Sequence, residues 1–106
     1  MDRTFGALAD ATRRGLLAQL SSAPPEGLPV TQLAEPHLRR MSLAAVSKHL
    51  RVLADAGLVK QTRDGRVRRC RLDPTPLRDA DQWLAFYRQF WTQQLDKLAA
   101  YVESVK

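Results

Sequence analysis

With 106 residues, 44% of them hydrophobic, the chain suits one compact domain and leaves no room for a separate catalytic domain. Its formal net charge is +6, and its one cysteine, Cys70, excludes an intrachain disulfide and fits a reducing cytoplasm. The longest unbroken apolar runs are five residues, too short for a transmembrane helix, and Met1-Asp2-Arg3-Thr4 lacks the basic-then-apolar opening of a signal peptide.

The charge is unevenly placed. Residues 39–72 hold ten Lys or Arg against two Asp, a net of +8, while residues 1–38 and 73–106 are each at −1. A solvated basic face spreads its charge; a nucleic-acid reader concentrates it.

Phe5, Leu8, Ala9, Thr12, Leu16, Leu17 and Leu20 recur at helical spacing, so the first segment reads as a helix with one apolar stripe. Arg13 and Arg14 lie off that stripe. The stretch Ser21-Ser22-Ala23-Pro24-Pro25-Glu26-Gly27-Leu28-Pro29 is dense in breakers and reads as a loop. Thr31 offers an N-cap for a short helix through Leu33 and Ala34, which Pro36 disturbs after barely a turn.

Ser42 is a second N-cap, for a helix reaching Asp55 and Ala56, where Gly57 supplies the left-handed stop. Leu43, Val46, Leu50 and Leu53 share its apolar face. Ala44, Ala45, Ser47, Lys48 and Arg51 are left outside, and no acidic residue occurs between Leu38 and Ala54. Small residues near base edges with cations behind them suit a helix that enters the major groove.

Leu58-Val59-Lys60-Gln61-Thr62 reads as a strand, Asp64-Gly65 as a hairpin turn, and Val67-Arg68-Arg69-Cys70-Arg71-Leu72 as the returning strand. Six cations and one anion lie between Lys60 and Arg71, as on a ribbon that tracks a DNA backbone. Cys70 alternates in phase with Leu72 and therefore faces the core. From about residue 77 to 105 the chain reads as one long helix, with Leu77, Leu84, Trp91, Leu98 and Val105 seven apart and Ala80, Tyr87 and Tyr101 beside them. An aromatic row on such a helix is an interface or core face.

The motifs Leu8-Ala9-Asp10-Ala11-Thr12-Arg13-Arg14, Val46-Ser47-Lys48-His49-Leu50-Arg51-Val52-Leu53 and Ala56-Gly57-Leu58-Val59, in this order of elements, resemble the ArsR family of winged helix-turn-helix repressors over nearly the whole chain. The resemblance implies a mainly helical fold with a β-hairpin wing, a single domain over 1–106, with the helix-turn-helix at 31–56, the wing at 58–72, and dimerisation helices at 1–20 and 77–106. It implies a cytoplasmic homodimeric repressor on palindromic double-stranded DNA. Ser42, Ala44, Ala45, Ser47, Lys48 and His49 would then face DNA, joined by Arg51, with Arg63, Arg66 and Arg68 on the wing. Leu8, Leu84, Tyr87, Trp91, Leu95 and Leu98 would meet the partner subunit.

The chain departs from the metal-sensing members. Thr31-Gln32-Leu33-Ala34-Glu35 has no thiol, and the last helix has Asp81, Asp96 and Glu103 but no histidine. It looks like the metal-free subgroup, with no cofactor and no membrane partner. The alternative reading adds a sensing input: a small-molecule effector at the dimer interface, or redox chemistry at Cys70. No acid/base pair, activated nucleophile or phosphate-binding glycine loop can be assembled, so no enzyme is expected.

Overall fold

Helix α4 (Leu43–Asp55) is the centre of the molecule. Ser42 caps it by accepting from the Ala45 amide at 3.1 Å. At the other end the Gly57 amide donates to the Ala54 carbonyl and the Leu58 amide to the Leu53 carbonyl, with Gly57 at φ +78°. That pair of bonds is a Schellman closure, and it plants the buried Leu58 back under the helix. The computed structural model describes residues 1–105; Lys106, the last residue of the expected dimerisation segment 77–106, lies outside the described residues.

Around α4 pack α1 (Asp2–Leu8), α2 (Ala11–Ser21) and α3 (Val30–Ala34), with a 3₁₀ turn at Glu35–His37. Three strands follow the order β1-β3-β2, all antiparallel: β1 (Leu28–Pro29), β2 (Val59–Asp64) and β3 (Val67–Leu72). Helix α5 (Thr75–Ser104) closes the chain. Leu16, Leu33, Val46, Leu50, Leu53, Leu58 and Cys70 are fully buried and form one core between the helices and the sheet.

Several expectations need correction. The first segment is two helices, because Asp10 adopts an extended backbone (φ −120°, ψ 132°) and accepts from the Arg13 amide, starting α2 afresh. Helix α3 starts at Val30 with Pro29 as its cap residue, so Thr31 lies inside it. The breaker-rich loop ends in a short strand: Leu28 pairs with Cys70 and Pro29 with Arg69. Leu43 is 45% exposed; it opens α4 beyond the edge of the core, in a cleft shared with Val30, Thr31 and Val67. The hairpin loop is Gly65-Arg66, flanked by the Asp64–Val67 pair, with positive φ at Gly65 alone. That is a type II′ pattern.

The path between α3 and α4 is a tight turn. Pro36 stands in the first turn of the 3₁₀ segment, where no amide is required. The His37 carbonyl then accepts from the amides of Arg40 and Met41. Helix α5 spans 30 residues, about 45 Å at 1.5 Å per residue. Leu77 packs on the core and Ala80 is buried; from residue 81 every position described is exposed. The radius of gyration is accordingly 18.2 Å, against about 13 Å for a compact chain of this length.

Gly27 binds the loop to the sheet. It has φ +82°, and a Cβ there would lie 2.1 Å from the Cys70 carbonyl oxygen. Gly27→Ala therefore displaces β1 from β3 and costs about 2 kcal/mol or more, a fall in Tm of roughly 10 °C by thermal denaturation. Gly6→Ala is the control: nothing lies within 4 Å of its added Cβ, so Tm holds or rises.

Candidate nucleic-acid interface

The buried row Val46, Leu50 and Leu53 fixes which way α4 faces. With about 100° between successive residues, Ala44, Lys48 and Arg51 point directly away from that row and are exposed. Ala44 and the half-buried Ala45 leave the first turns slender, so the backbone can approach a groove floor. The outward line ends at Asp55, an exposed carboxylate at the far end of the helix.

The two flanks of α4 differ. On one flank, Ser47 accepts a hydrogen bond from the Arg68 guanidinium at 3.1 Å, which ties the helix to β3. Ser47, Lys48, Arg51, Gln61 and Arg68 line a shallow cleft of about 220 Å³ between helix and wing. Three cations and two neutral hydrogen-bonding side chains in one cleft match a phosphate group. Gln61 was not among the residues singled out from the sequence, although its phase with Val59 in β2 places it on this face.

Strand register sorts the wing cations. Arg63 pairs with Arg68, and Gln61 with Cys70, on the face turned toward α4. Lys60 pairs with Arg71, and Thr62 with Arg69, on the opposite face. Arg66 occupies the tip loop. Like charges directly opposite each other destabilise an isolated ribbon, and a bound polyanion removes that cost. On the far face Lys60 has a partial counter-ion in Asp73, at 3.9 Å.

On the other flank His49 turns away from this face. Its Nδ1 lies 3.2 Å from an Arg13 guanidinium nitrogen and 3.8 Å from the Asp10 carboxylate. His49, expected to face DNA alongside Ser47, sits on the other flank of α4 with its ring half-buried against the start of α2. The Arg13 amide, donating to the Asp10 carboxylate, holds that carboxyl below its ordinary range, and the positive charge of the Arg13 side chain adds to the effect. Ser42 faces solvent at the start of α4, but its hydroxyl oxygen is engaged as the cap.

Cys70 is fully buried beneath the cleft, and burial pushes its thiol up, against the opposing effects of a hydrogen bond with Gln61 and the Arg68 charge. A thiol so placed is a poor nucleophile. Nor do the residues offer the metal centre that the resemblance ascribes to metal-sensing members. Helix α3 offers no thiol or imidazole, and the His49 lone pair is engaged by a guanidinium that would repel a cation. Among the described residues no three His, Cys, Asp or Glu side chains gather. No described helix is long and apolar enough to cross a membrane.

The expected partner-facing residues lie apart from this interface. Leu84, Tyr87, Trp91, Leu95 and Leu98 are exposed along α5, and Leu8 is half-buried at the end of α1, packed on the core. Phe5 of α1 meets Trp83 edge-on at 5.6 Å, joining the first and last helices.

A family model described as a helix-turn-helix domain matches residues 8–62, which contain α2 to α4 and most of β2. The HTH-type transcriptional regulator Rv2034 of Mycobacterium tuberculosis (strain ATCC 25618 / H37Rv) is 38% identical over 97% of this chain and 89% of its own length. Among solved structures, the ArsR family transcriptional regulator RHA00566 superposes with a TM-score of 0.75 at 36% identity, over 86% of this chain and 94% of that one. The homodimeric winged helix-turn-helix DNA-binding domain Mb0332 from Mycobacterium bovis, a possible ArsR-family regulator, superposes with a TM-score of 0.63 at 25% identity, over 83% of this chain and 80% of that one. With a basic cleft between an exposed helix and a wing, and these relatives along nearly its full length, the chain belongs to the ArsR family of winged helix-turn-helix transcriptional regulators.

Proposed function

We propose that the protein is a homodimeric repressor that binds a palindromic operator. Helix α4 reads base edges in the major groove, and the wing grips the flanking backbone. The observation that carries this reading is the cleft of Ser47, Lys48, Arg51, Gln61 and Arg68, contiguous with the slender, exposed start of α4. Repression follows as occlusion: a dimer seated on a promoter blocks polymerase. No catalytic role is proposed, since among the described residues no base is paired with an activated nucleophile.

Binding should weaken steeply with salt, by roughly 10³ or more between 50 and 200 mM, because several phosphates are neutralised per protomer. Lys48→Ala and Arg66→Ala should weaken binding to all duplexes. Ser47→Glu, which puts a carboxylate beside the cleft, should abolish operator binding with the fold intact. Gel-shift titrations of operator and scrambled duplexes measure this. A flat salt response, or normal affinity in Ser47→Glu, refutes the interface.

The dimer is argued from α5. A row from Leu84 to Leu98 with nothing of its own chain over it is an apolar patch in water. The Mycobacterium bovis relative is homodimeric. Reading a palindrome across successive major grooves requires the two α4 helices of a dimer to be held roughly 34–36 Å apart, and paired α5 helices would be the rigid element that sets this spacing. Trp91→Glu with Leu98→Glu should give helical monomers with little operator affinity, because a buried unpaired carboxylate costs several kcal/mol and symmetry doubles it. Sedimentation equilibrium at micromolar protein reads the mass. A wild-type monomer, or a double variant that stays dimeric, overturns the α5 interface.

Metal independence is the third expectation. Zinc, cadmium or arsenite should neither bind stoichiometrically nor release operator DNA, given the absence of clustered thiol and imidazole donors. Calorimetry showing one tight zinc per protomer sinks it.

A further inference from the structure

The Arg13 side chain makes three hydrogen bonds on the flank of α4 away from the DNA cleft. Its Nε donates to the Ala7 carbonyl at 2.7 Å and one terminal nitrogen to the Gly6 carbonyl at 3.3 Å. Its other terminal nitrogen lies 3.2 Å from His49 Nδ1. The neighbouring Arg14 reaches the Leu8 carbonyl at 2.8 Å. The last carbonyls of a helix have no partner within it. In α1 the carbonyls of Ala7 and Leu8 are taken by these two arginines, and that of Gly6 accepts from both Arg13 and the Ala9 amide; the arginine charges also suit the negative end of the helix dipole.

A guanidinium can only donate. In this contact His49 Nδ1 is the acceptor and the ring proton sits on Nε2, with the Asp10 carboxylate 3.8 Å from the same Nδ1. One planar fork thus joins three elements: the end of α1, the start of α2 and the flank of α4. Helix α1 in turn packs through Phe5 on Trp83 of α5. His49 is adjacent to Lys48 and two residues from Ser47, both lining the cleft. A rotation of α4 that carried His49 away from Arg13 would carry Lys48 and Ser47 with it.

We propose that Arg13 is a positioning residue for DNA recognition, which locks the rotation of α4 by donating to His49 and so couples the reading helix to the α1–α5 side of the molecule. It touches no nucleic acid. The proposal rests on the reading of α4 as the helix that enters DNA, and it assigns a role to two residues of the opposite flank.

The test compares full-length variants on the duplex that the wild-type protein selects from a random-sequence pool. Arg13→Ala should lose at least tenfold in affinity with the slope of log affinity against log salt unchanged. Lys48→Ala, a presumed phosphate contact, should lower that slope by about one. Arg13→Lys should also fail, because a single ammonium cannot reach both α1 carbonyls and the imidazole; it replaces Arg13→Ala if the latter does not fold. His49→Leu should match the Arg13→Ala loss, and the double variant should lose no more than either single one. His49→Asn, which keeps an oxygen acceptor near the Nδ1 position, should retain most of the affinity. Independently of DNA, nitrogen–proton correlation spectra of the free protein should show His49 neutral with its proton on Nε2, and Arg13→Ala should shift its Nδ1 resonance. A salt slope that falls by about one in Arg13→Ala, additive losses, or a proton on Nδ1 overturns the proposal. If no duplex is selected at all, the reading of α4 fails, and the imidazole spectra still decide whether Arg13 holds His49.

Discussion

Everything this protein does depends on how α4 is clamped. Val46, Leu50 and Leu53 are fully buried against α2, α3 and the sheet. Their burial, at roughly 1.5–3 kcal/mol per side chain, sets the helix face that is left over. The apolar row is an address for the polar one. Once it is seated, Ala44, Lys48 and Arg51 point outward, Ser47 turns to the wing, and His49 turns to Arg13. Burial alone is a loose determinant of rotation, since a close-packed core still admits small adjustments. The two polar ties, Arg68 to Ser47 on one flank and Arg13 to His49 on the other, are directional and hold the helix from both sides.

The wing carries the opposite kind of order. Arg63 opposite Arg68 and Lys60 opposite Arg71 are arrangements that no folding argument favours. Few neighbouring carboxylates relieve them, as Asp73 does for Lys60. Such a ribbon is stable only because β3 is also held by β1 and by the buried Cys70. The repulsion it retains is an electrostatic cost in the free protein that a phosphate backbone removes. The same charges that weaken the hairpin therefore favour the bound state, which is why the +8 of residues 39–72 is concentrated where the fold benefits least from it.

Much of this was legible in the residues. The Ser42 cap, the Gly57 stop, the apolar row of α4 and the period-two alternation that buries Cys70 are local signals, each with one physical reading. What escaped were the places where a polar side chain competes with an apolar pattern. Leu8, Ala9, Thr12 and Leu16 continue a helical stripe through Asp10, and only the geometry of its carboxylate on the Arg13 amide shows that the helix restarts there. Leu28-Pro29 looked like loop because prolines and glycine surround it, and strand pairing with Cys70 is a long-range contact that no local window contains. His49 was assigned to the DNA face by its neighbours in the motif, but its partner Arg13 lies 36 residues away. Fold was readable from periodicity; the flank of α4 was decided by a contact between distant segments.

Helix α5 poses the remaining question of geometry. Its apolar positions sweep from Phe86 and Phe90 on one edge, through Trp83, Tyr87, Leu98 and Trp91, to Leu84 and Leu95 on the other. At about 100° per residue that arc covers roughly half the circumference. A two-helix seam of the coiled-coil kind needs only a narrow stripe. A symmetric pairing of α5 with a second α5 would leave the edges wet. Phe5 already covers part of one edge through Trp83, at 5.6 Å, which places the short helix α1 beside that edge. A four-helix arrangement, with α1 and α5 from each protomer, matches the width of the arc in a way that two helices alone cannot. In the proposed dimer such an arrangement would make α1 part of the interface, and the spacing between the two reading helices would then depend on where α1 ends. That end is set by Arg13 and Arg14 on the carbonyls of Gly6, Ala7 and Leu8, so the α1–α5 side and the α4 side of the protein meet at one turn of chain.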